Sequence, residues 1–104
     1  MKTIVIGTIS LIALAGLAIA GAPEGKELYT AKCVACHGAN GEGKPNIAKM
    51  YSVTQRALGS KEVQAKSDAD LKKVILTGQG KMKPVSGVTE KQADDVVAFL
   101  RTLK

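Results

Sequence analysis

Two cysteines and a single histidine occur in the chain, and all three lie in the segment Cys33-Val34-Ala35-Cys36-His37. On a helical or turning backbone, thiols three positions apart project to the same side. This C-x-x-C-H spacing is that of covalent c-type haem attachment, in which each thiol adds across one haem vinyl group. The adjacent His37 is then placed beneath the iron as an axial ligand. The segment therefore predicts one haem c, bound through Cys33 and Cys36.

Two other kinds of site use the same side chains. A redox-active Cys33–Cys36 disulfide of the thioredoxin type needs a βαβ surrounding, and the sequence has no strand pattern. A structural zinc ion takes four ligands, so the two cysteines and one histidine would need carboxylates in addition. Haem attachment accounts for both cysteines and the adjacent histidine, and it is the interpretation we prefer.

A candidate for the second axial position is Met82. It lies in segment 78–84, between two glycines and a proline, which disfavour regular structure and predict an extended loop. A methionine among lysines on a loop is poorly placed for core packing alone, whereas a thioether is a usual second ligand of an electron-transfer haem. The alternative is that Met82 only covers the core. Met50 lies on an apolar helical stripe, and we predict that it packs in the core.

The histidine side of the haem is predicted to be covered by the loop that follows His37. A ligating histidine usually donates its second ring N–H to a carbonyl or a carboxylate, which fixes the orientation of the ring. The carbonyl of Pro45, or of a neighbour in the loop, is the candidate acceptor.

Residues 1–20 have the pattern of a secretory signal peptide. A short basic start is followed by an apolar-rich run and by the small-x-small sequence Ala18-Ile19-Ala20. We therefore predict cleavage after Ala20, a single haem domain over residues 21–104, and a periplasmic location. The alternative is an uncleaved membrane anchor, although the 16 positions from Ile4 to Ile19 are fewer than the ~20 that span a bilayer.

Beyond the leader, the sequence predicts an all-α domain of three to five helices. The first helix begins at Pro23 and carries Gly25, Tyr29, Cys33 and Cys36 on one face. A turn-rich loop over 38–46 and a helix over 46–58 follow. The next helix runs from the N-cap Ser67 to Gly78, and a terminal helix begins with the capping box of Thr89 and Gln92. Segment 60–66 has no clear pattern. The terminal helix has the strongest pattern, and the first helix is its expected partner.

The net charge of the chain is +6, and it becomes +5 once Lys2 leaves with the leader. Aromatic residues make up only 3% of the chain, and its lysines are spread along the sequence, so the stacking groups and the basic stripe of a nucleic-acid-binding protein are missing. A subset of the lysines is suited to docking an acidic redox partner. These are Lys44, Lys72, Lys73, Lys81 and Lys83.

With these features in place, residues 23–104 resemble the class I cytochromes c, the small soluble monohaem carriers of bacteria and photosynthetic organisms. The resemblance implies that Gly25 and Tyr29 cross the terminal helix near Phe99, and that helices surround the haem and leave one edge exposed. It also implies a monomeric, non-enzymatic protein that transfers one electron by an outer-sphere route. Two departures from the family pattern are the short loop after His37 and the insertion of Lys83 between Met82 and Pro84.

Two other functions stay open at this point. The chain could be the haem subunit of a larger periplasmic or membrane redox complex, which co-purification with a partner would reveal. If Met82 does not bind the iron, it could instead be an open-site haem enzyme or gas sensor. The expected partners are redox proteins, with no nucleic acid, and with a membrane only if the leader is retained.

Overall fold

The computed structural model describes residues 20–104. The predicted signal peptide lies outside the described residues except for Ala20, so its cleavage stays a prediction. The described part contains six helices and no strand, which confirms the all-α prediction. The helices are α1 (Ala22–Lys32), α2 (Val34–His37), α3 (Pro45–Tyr51), α4 (Lys61–Gln64), α5 (Asp68–Thr77) and α6 (Glu90–Leu100). Of these, α2 and α4 are single turns of four residues. None of the helices in residues 20–104 combines the length and the apolarity needed to cross a bilayer.

Helices α1 and α6 pack against each other and form the centre of the fold. Gly25 of α1 lies against the backbone of α6, where an added Cβ would overlap the carbonyl oxygen of Asp95. One turn further along α1, the ring of Tyr29 packs against that of Phe99, with 5.1 Å between the ring centroids. The crossing of the first and terminal helices is therefore confirmed, including the residues at which it occurs.

Two helices begin where the sequence predicts, because side chains satisfy their first backbone N–H groups. The Ser67 hydroxyl accepts from the N–H of Asp70 at the start of α5, and this helix ends at Gly78. At the start of α6, Thr89 and Gln92 form a complete capping box, in which each side chain bonds to the backbone of the other residue. Both local predictions are confirmed.

The first predicted helix is interrupted. Cys33 has φ −117° and ψ −27°, and it separates α1 from the single turn α2. The Cys33 carbonyl nevertheless accepts hydrogen bonds from the N–H groups of Cys36 (3.2 Å) and His37 (2.9 Å). The cysteines and the histidine thus lie on a separate turn beyond the end of α1.

The helix predicted over 46–58 is wrong beyond Tyr51. Ser52 adopts a left-handed conformation with φ 55°, which ends α3. Further along, the chain bonds to another segment and does not continue the helical ladder: the Leu58 N–H donates to the Gly41 carbonyl at 2.8 Å. Met50, predicted to lie in the core, is 65% exposed, so that prediction is also wrong for the polypeptide as described.

The chain beyond α6 is tied to the α4–α5 connection by Arg101. Its guanidinium donates to the backbone carbonyls of Gln64 (3.0 Å) and Lys66 (2.7 Å) and to the carboxylate of Asp68 (2.7 and 2.9 Å). Segment 60–66, which had no clear pattern in the sequence, contains the single turn α4, capped by the Ser60 hydroxyl.

Candidate haem site

The two cysteines differ in their surroundings although they lie on one turn. Cys33 is partly buried and packs against the core, whereas Cys36 is exposed, and both thiols are free. Burial raises the pKa of the Cys33 thiol to about 11, although the neighbouring Lys32 acts in the opposite direction. Thioredoxin-type chemistry needs a thiol whose pKa is lowered, because the thiolate is the nucleophile. Cys33 has the opposite property, which disfavours the disulfide alternative.

His37 follows directly on Cys36, and its imidazole has an unusual environment. Its Nδ1 is buried and has no hydrogen-bond partner among the described residues. Burial lowers the pKa of His37, so the imidazole is neutral at pH 7 and one ring nitrogen keeps its lone pair. A buried nitrogen without a partner costs about 1 to 3 kcal/mol unless a bound group compensates for it. Metal binding needs a neutral ring with one free lone pair, and the lowered pKa of His37 fits that requirement.

The predicted hydrogen bond from His37 to the Pro45 carbonyl is not formed. Helix α3 begins at Pro45, so that carbonyl lies in the first turn of the helix and is directed along the helix axis. The position of the loop after His37 is set by other contacts.

Backbone and side-chain hydrogen bonds hold the loop over residues 38–44 closed. The His37 carbonyl accepts from the N–H of Gly43 at 2.7 Å, and the buried hydroxyl of Tyr29 donates to the Gly38 carbonyl at 2.5 Å. Gly38 and Gly43 have φ values of 83° and 86°, which glycine adopts without strain. The short loop therefore reverses the chain directly after the histidine.

Gln55 is a contributor to this loop that the sequence analysis missed. Its side chain bonds to the carbonyl of Cys36 and to the N–H of Lys44, on the two sides of the loop. The residue lies in the stretch that was predicted to be helical, where a glutamine is an ordinary surface residue. No pattern in the sequence signals its role.

Met82 lies in a different part of the chain, on a tight turn after α5. The backbone groups of Gln79 and Met82 exchange two hydrogen bonds of 2.9 Å, and Gly80 between them has φ 56°. The turn is tied to α5 by the N–H of Val85, which donates to the Ile75 carbonyl at 3.0 Å. Among the described residues, no hydrogen bond joins this turn to the cysteine turn, so the ligation of iron by Met82 stays a prediction.

Exposed apolar side chains follow the loop in sequence. Met50, Tyr51 and Val53 are large apolar residues within four positions, and they are 65%, 41% and 38% exposed. A contiguous exposed apolar patch can mark a surface that a ligand or partner covers.

The lysines predicted to dock a partner do not form a uniform set. Lys72 is paired with Glu90 (3.3 Å) and Asp94 (3.1 Å), so its charge is offset within the protein, and its part in docking stays a prediction. Lys73, Lys81 and Lys83 are exposed, and the ion pairs among the described residues involve none of these three.

Comparisons with known proteins agree on one family. Residues 22–104 match the family model described as cytochrome c. The chain is similar to cytochrome c-554(547) of Halothiobacillus neapolitanus, with 35% identity over 88 residues that cover 80% of this chain and 97% of the relative. It is also similar to the solved structure of the KustC0563 c-type cytochrome, with a TM-score of 0.66 and 26% identity over 77% of this chain and 96% of that one. The chain therefore belongs to the cytochrome c family, as an electron carrier with one haem c attached covalently through its two cysteines, Cys33 and Cys36.

Proposed function

We propose that the chain is a periplasmic monohaem carrier that transfers one electron at a time, with His37 and Met82 as the axial ligands of its iron. The observation that carries this proposal is the separate turn beyond α1, which holds Cys33, Cys36 and His37 within five residues. The haem supplies the one-electron redox couple. The polypeptide supplies the attachment, the ligands and the exclusion of water.

His37 is suited to permanent ligation for two reasons. The two cysteines hold the haem on the same turn as the histidine, so the imidazole needs no separate binding step. Burial lowers the pKa of His37, which keeps the ring neutral and available to the metal at pH 7. The closed loop over 38–44 then limits how far the histidine backbone can move in either oxidation state.

Met82 is suited to the opposite axial position because its thioether is a soft ligand on a constrained turn. Methionine ligation raises the reduction potential above that of a bis-histidine haem. If His37 and Met82 both held the iron, no site on it would be left for a substrate. This leaves outer-sphere electron transfer as the function and disfavours an enzyme or gas sensor.

A periplasmic location is supported by the leader pattern of residues 1–20. The exposed lysines Lys73, Lys81 and Lys83 give the partner an electrostatic target, since opposite charges raise the rate of encounter. The partner proposed is a redox protein with an acidic docking face, bound transiently by a monomer.

Binding of an added ligand tests the axial assignment. In the oxidised, haem-loaded protein, cyanide has to displace Met82, and each 1.4 kcal/mol of displacement cost weakens its apparent affinity tenfold. We expect tighter binding by Met82→Ala, and unchanged binding by the control Met50→Ala, which also removes an exposed or partly exposed methionine. Equal binding by wild type and Met82→Ala would contradict ligation by Met82.

A further inference from the structure

The side-chain amide of Gln55 connects the two ends of the loop that follows His37. Its Nε2 donates to the carbonyl of Cys36 at 2.7 Å, and its Oε1 accepts from the backbone N–H of Lys44 at 2.9 Å. Both partners are backbone groups, and neither belongs to the segment that carries Gln55. The amide therefore holds two points of the chain at a fixed separation.

The carbonyl that Gln55 binds is that of the peptide bond between Cys36 and His37. Rotation of this peptide changes the direction of both the second attachment thiol and the imidazole. Cys36 itself is exposed, so its carbonyl would otherwise bond to water and fix nothing. A protein donor at this point restrains the backbone from which the axial ligand projects.

The loop is shaped to admit the amide. A Cβ at Gly43 would come within 3.0 Å of the Gln55 Oε1, so the absence of a side chain there leaves room for the amide. The N–H of Gly43 in turn donates to the His37 carbonyl at 2.7 Å. The backbone is thus held on both sides of the histidine, by Gln55 at Cys36 and by Gly43 at His37.

We propose that Gln55 is a positioning residue for His37: its amide fixes the Cys36–His37 peptide against Lys44 and so sets the orientation of the imidazole beneath the haem. This inference rests on the proposed function, because it takes His37 as an axial ligand. It predicts two consequences of losing the amide. The imidazole samples more than one orientation, and the Cys36 carbonyl, without its donor, stabilises the oxidised iron and lowers the reduction potential.

The test compares Gln55→Met with a matched control, Gln92→Met, in the haem-loaded protein. Methionine has the length of glutamine but makes neither hydrogen bond, and Gln92 likewise bonds to a backbone N–H, but in the capping box of α6. The readouts are the reduction potential and the proton NMR shifts of the haem methyl groups in the oxidised protein, which follow the orientation of the axial imidazole. We expect Gln55→Met to lower the potential and to displace or split the methyl resonances, and Gln92→Met to change neither.

A second variant, Gln55→Glu, separates the two hydrogen bonds. The carboxylate still accepts from the Lys44 N–H but no longer donates to the Cys36 carbonyl. Hydrogen exchange at Lys44 is therefore expected to stay slow in Gln55→Glu and to become faster in Gln55→Met, while the potential falls in both. If Gln55→Met does not retain haem, the haem methyl shifts of Gln55→Glu decide the question, because the added carboxylate charge lowers the potential by itself.

The positioning role would be overturned if the Gln55 variants had the same reduction potential and haem methyl shifts as the wild type. It would also be overturned if Gln92→Met changed these two quantities as much as Gln55→Met does. Failure of the proposed function has a different signature, because it is seen in the wild type alone. A wild-type protein without a low-spin, methionine-ligated spectrum would contradict the axial assignment before any Gln55 variant is compared.

Discussion

The carbonyl oxygen of Asp95 lies where a side chain at Gly25 would begin. This contact is between the backbones of α1 and α6, so neither partner can move away without separating the two helices. The approach brings the rings of Tyr29 and Phe99 into contact one turn later. It also places the end of α1, and with it the cysteine turn, at a fixed position relative to the terminal helix.

Gly25→Ala is therefore expected to destabilise the protein. Alanine is favoured over glycine in a helix interior by about 1 kcal/mol, but inserting a methyl group into a closely packed contact typically costs about 1 to 3 kcal/mol, and sometimes more. Because the clash is with backbone, we expect the packing term to dominate. Denaturant unfolding of the haem-loaded protein measures the difference, with Lys26→Ala on the exposed face of α1 as the control. A Gly25→Ala protein more stable than wild type would show that the helices adjust without cost.

Tyr29→Phe should lower stability at neutral pH. The substitution keeps the ring contact with Phe99 but removes the hydrogen bond from the Tyr29 hydroxyl to the carbonyl of the buried Gly38. Leaving a buried acceptor without its donor costs about 1 to 3 kcal/mol. The control is Tyr51→Phe, at an exposed tyrosine. If Tyr51→Phe lost as much stability as Tyr29→Phe, a specific role for this hydrogen bond would be contradicted.

The same residue gives stability a pH dependence in alkali. Burial, with a smaller contribution from Glu42, raises the pKa of Tyr29 from 10.0 to about 12. Because the folded pKa is the higher one, the folded state binds the proton more tightly, and this contribution is complete below pH 10 and is lost as the pH rises toward 12. Stability should therefore fall over this interval in the wild type and fall less steeply in Tyr29→Phe. Parallel pH profiles for the two proteins would rule out Tyr29 as the source.

Arg101→Lys is not expected to behave as a conservative change. The guanidinium bonds to two backbone carbonyls and to the Asp68 carboxylate at once, and an ammonium group cannot reproduce that planar fork. Hydrogen bonds that involve a charged group contribute about 1.5 to 3 kcal/mol each. We expect thermal unfolding to show a lower Tm for Arg101→Lys than for Arg56→Lys, whose side chain is exposed and forms one weak ion pair of 3.9 Å. Equal Tm values for Arg101→Lys and Arg56→Lys would mean that the single hydrogen bond a lysine can make is enough to hold this part of the chain.

Electron exchange with anionic partners should depend on salt and on particular lysines. Charge steering raises association rates by about 10 to 10³-fold in total, so removing Lys81 and Lys83 together should slow oxidation by hexacyanoferrate(III) several-fold at low salt. The rate should also fall as ionic strength rises, since the screening length is about 10 Å at 0.1 M. Lys72→Gln is the control, because its charge is offset by Glu90 and Asp94. A rate that does not depend on salt would remove the docking proposal.

The parts of the fold that the sequence predicts correctly are those with a local cause. Ser67 and Thr89 start helices because their hydroxyls satisfy N–H groups only three residues away. The attachment turn is equally local, since two thiols and an imidazole within five residues leave few chemical alternatives. The residues at the helix crossing were also predicted correctly, but only through resemblance, because Gly25 alone does not say which backbone approaches it.

The parts that were missed depend on contacts between distant segments. The periodicity through Tyr51 continues in the sequence to Leu58, but Leu58 bonds to Gly41 and Gln55 bonds to Cys36 and Lys44, so the helix ends early. Met50 lies on an apolar helical stripe. Periodicity shows that such residues share one face of a helix, but it does not show whether the polypeptide core covers that face. The pairing of Lys72 with α6 is likewise invisible until the helices are placed together.

The visible spectrum of the haem-loaded protein, oxidised and reduced, tests the central claim most directly when wild type, Met82→Ala and Met50→Ala are compared. We predict a low-spin c-type spectrum with a weak far-red sulfur-to-iron band in the oxidised wild type and in Met50→Ala, and the loss of that band in Met82→Ala. A high-spin wild type, or a band that survives in Met82→Ala, would contradict ligation by His37 and Met82.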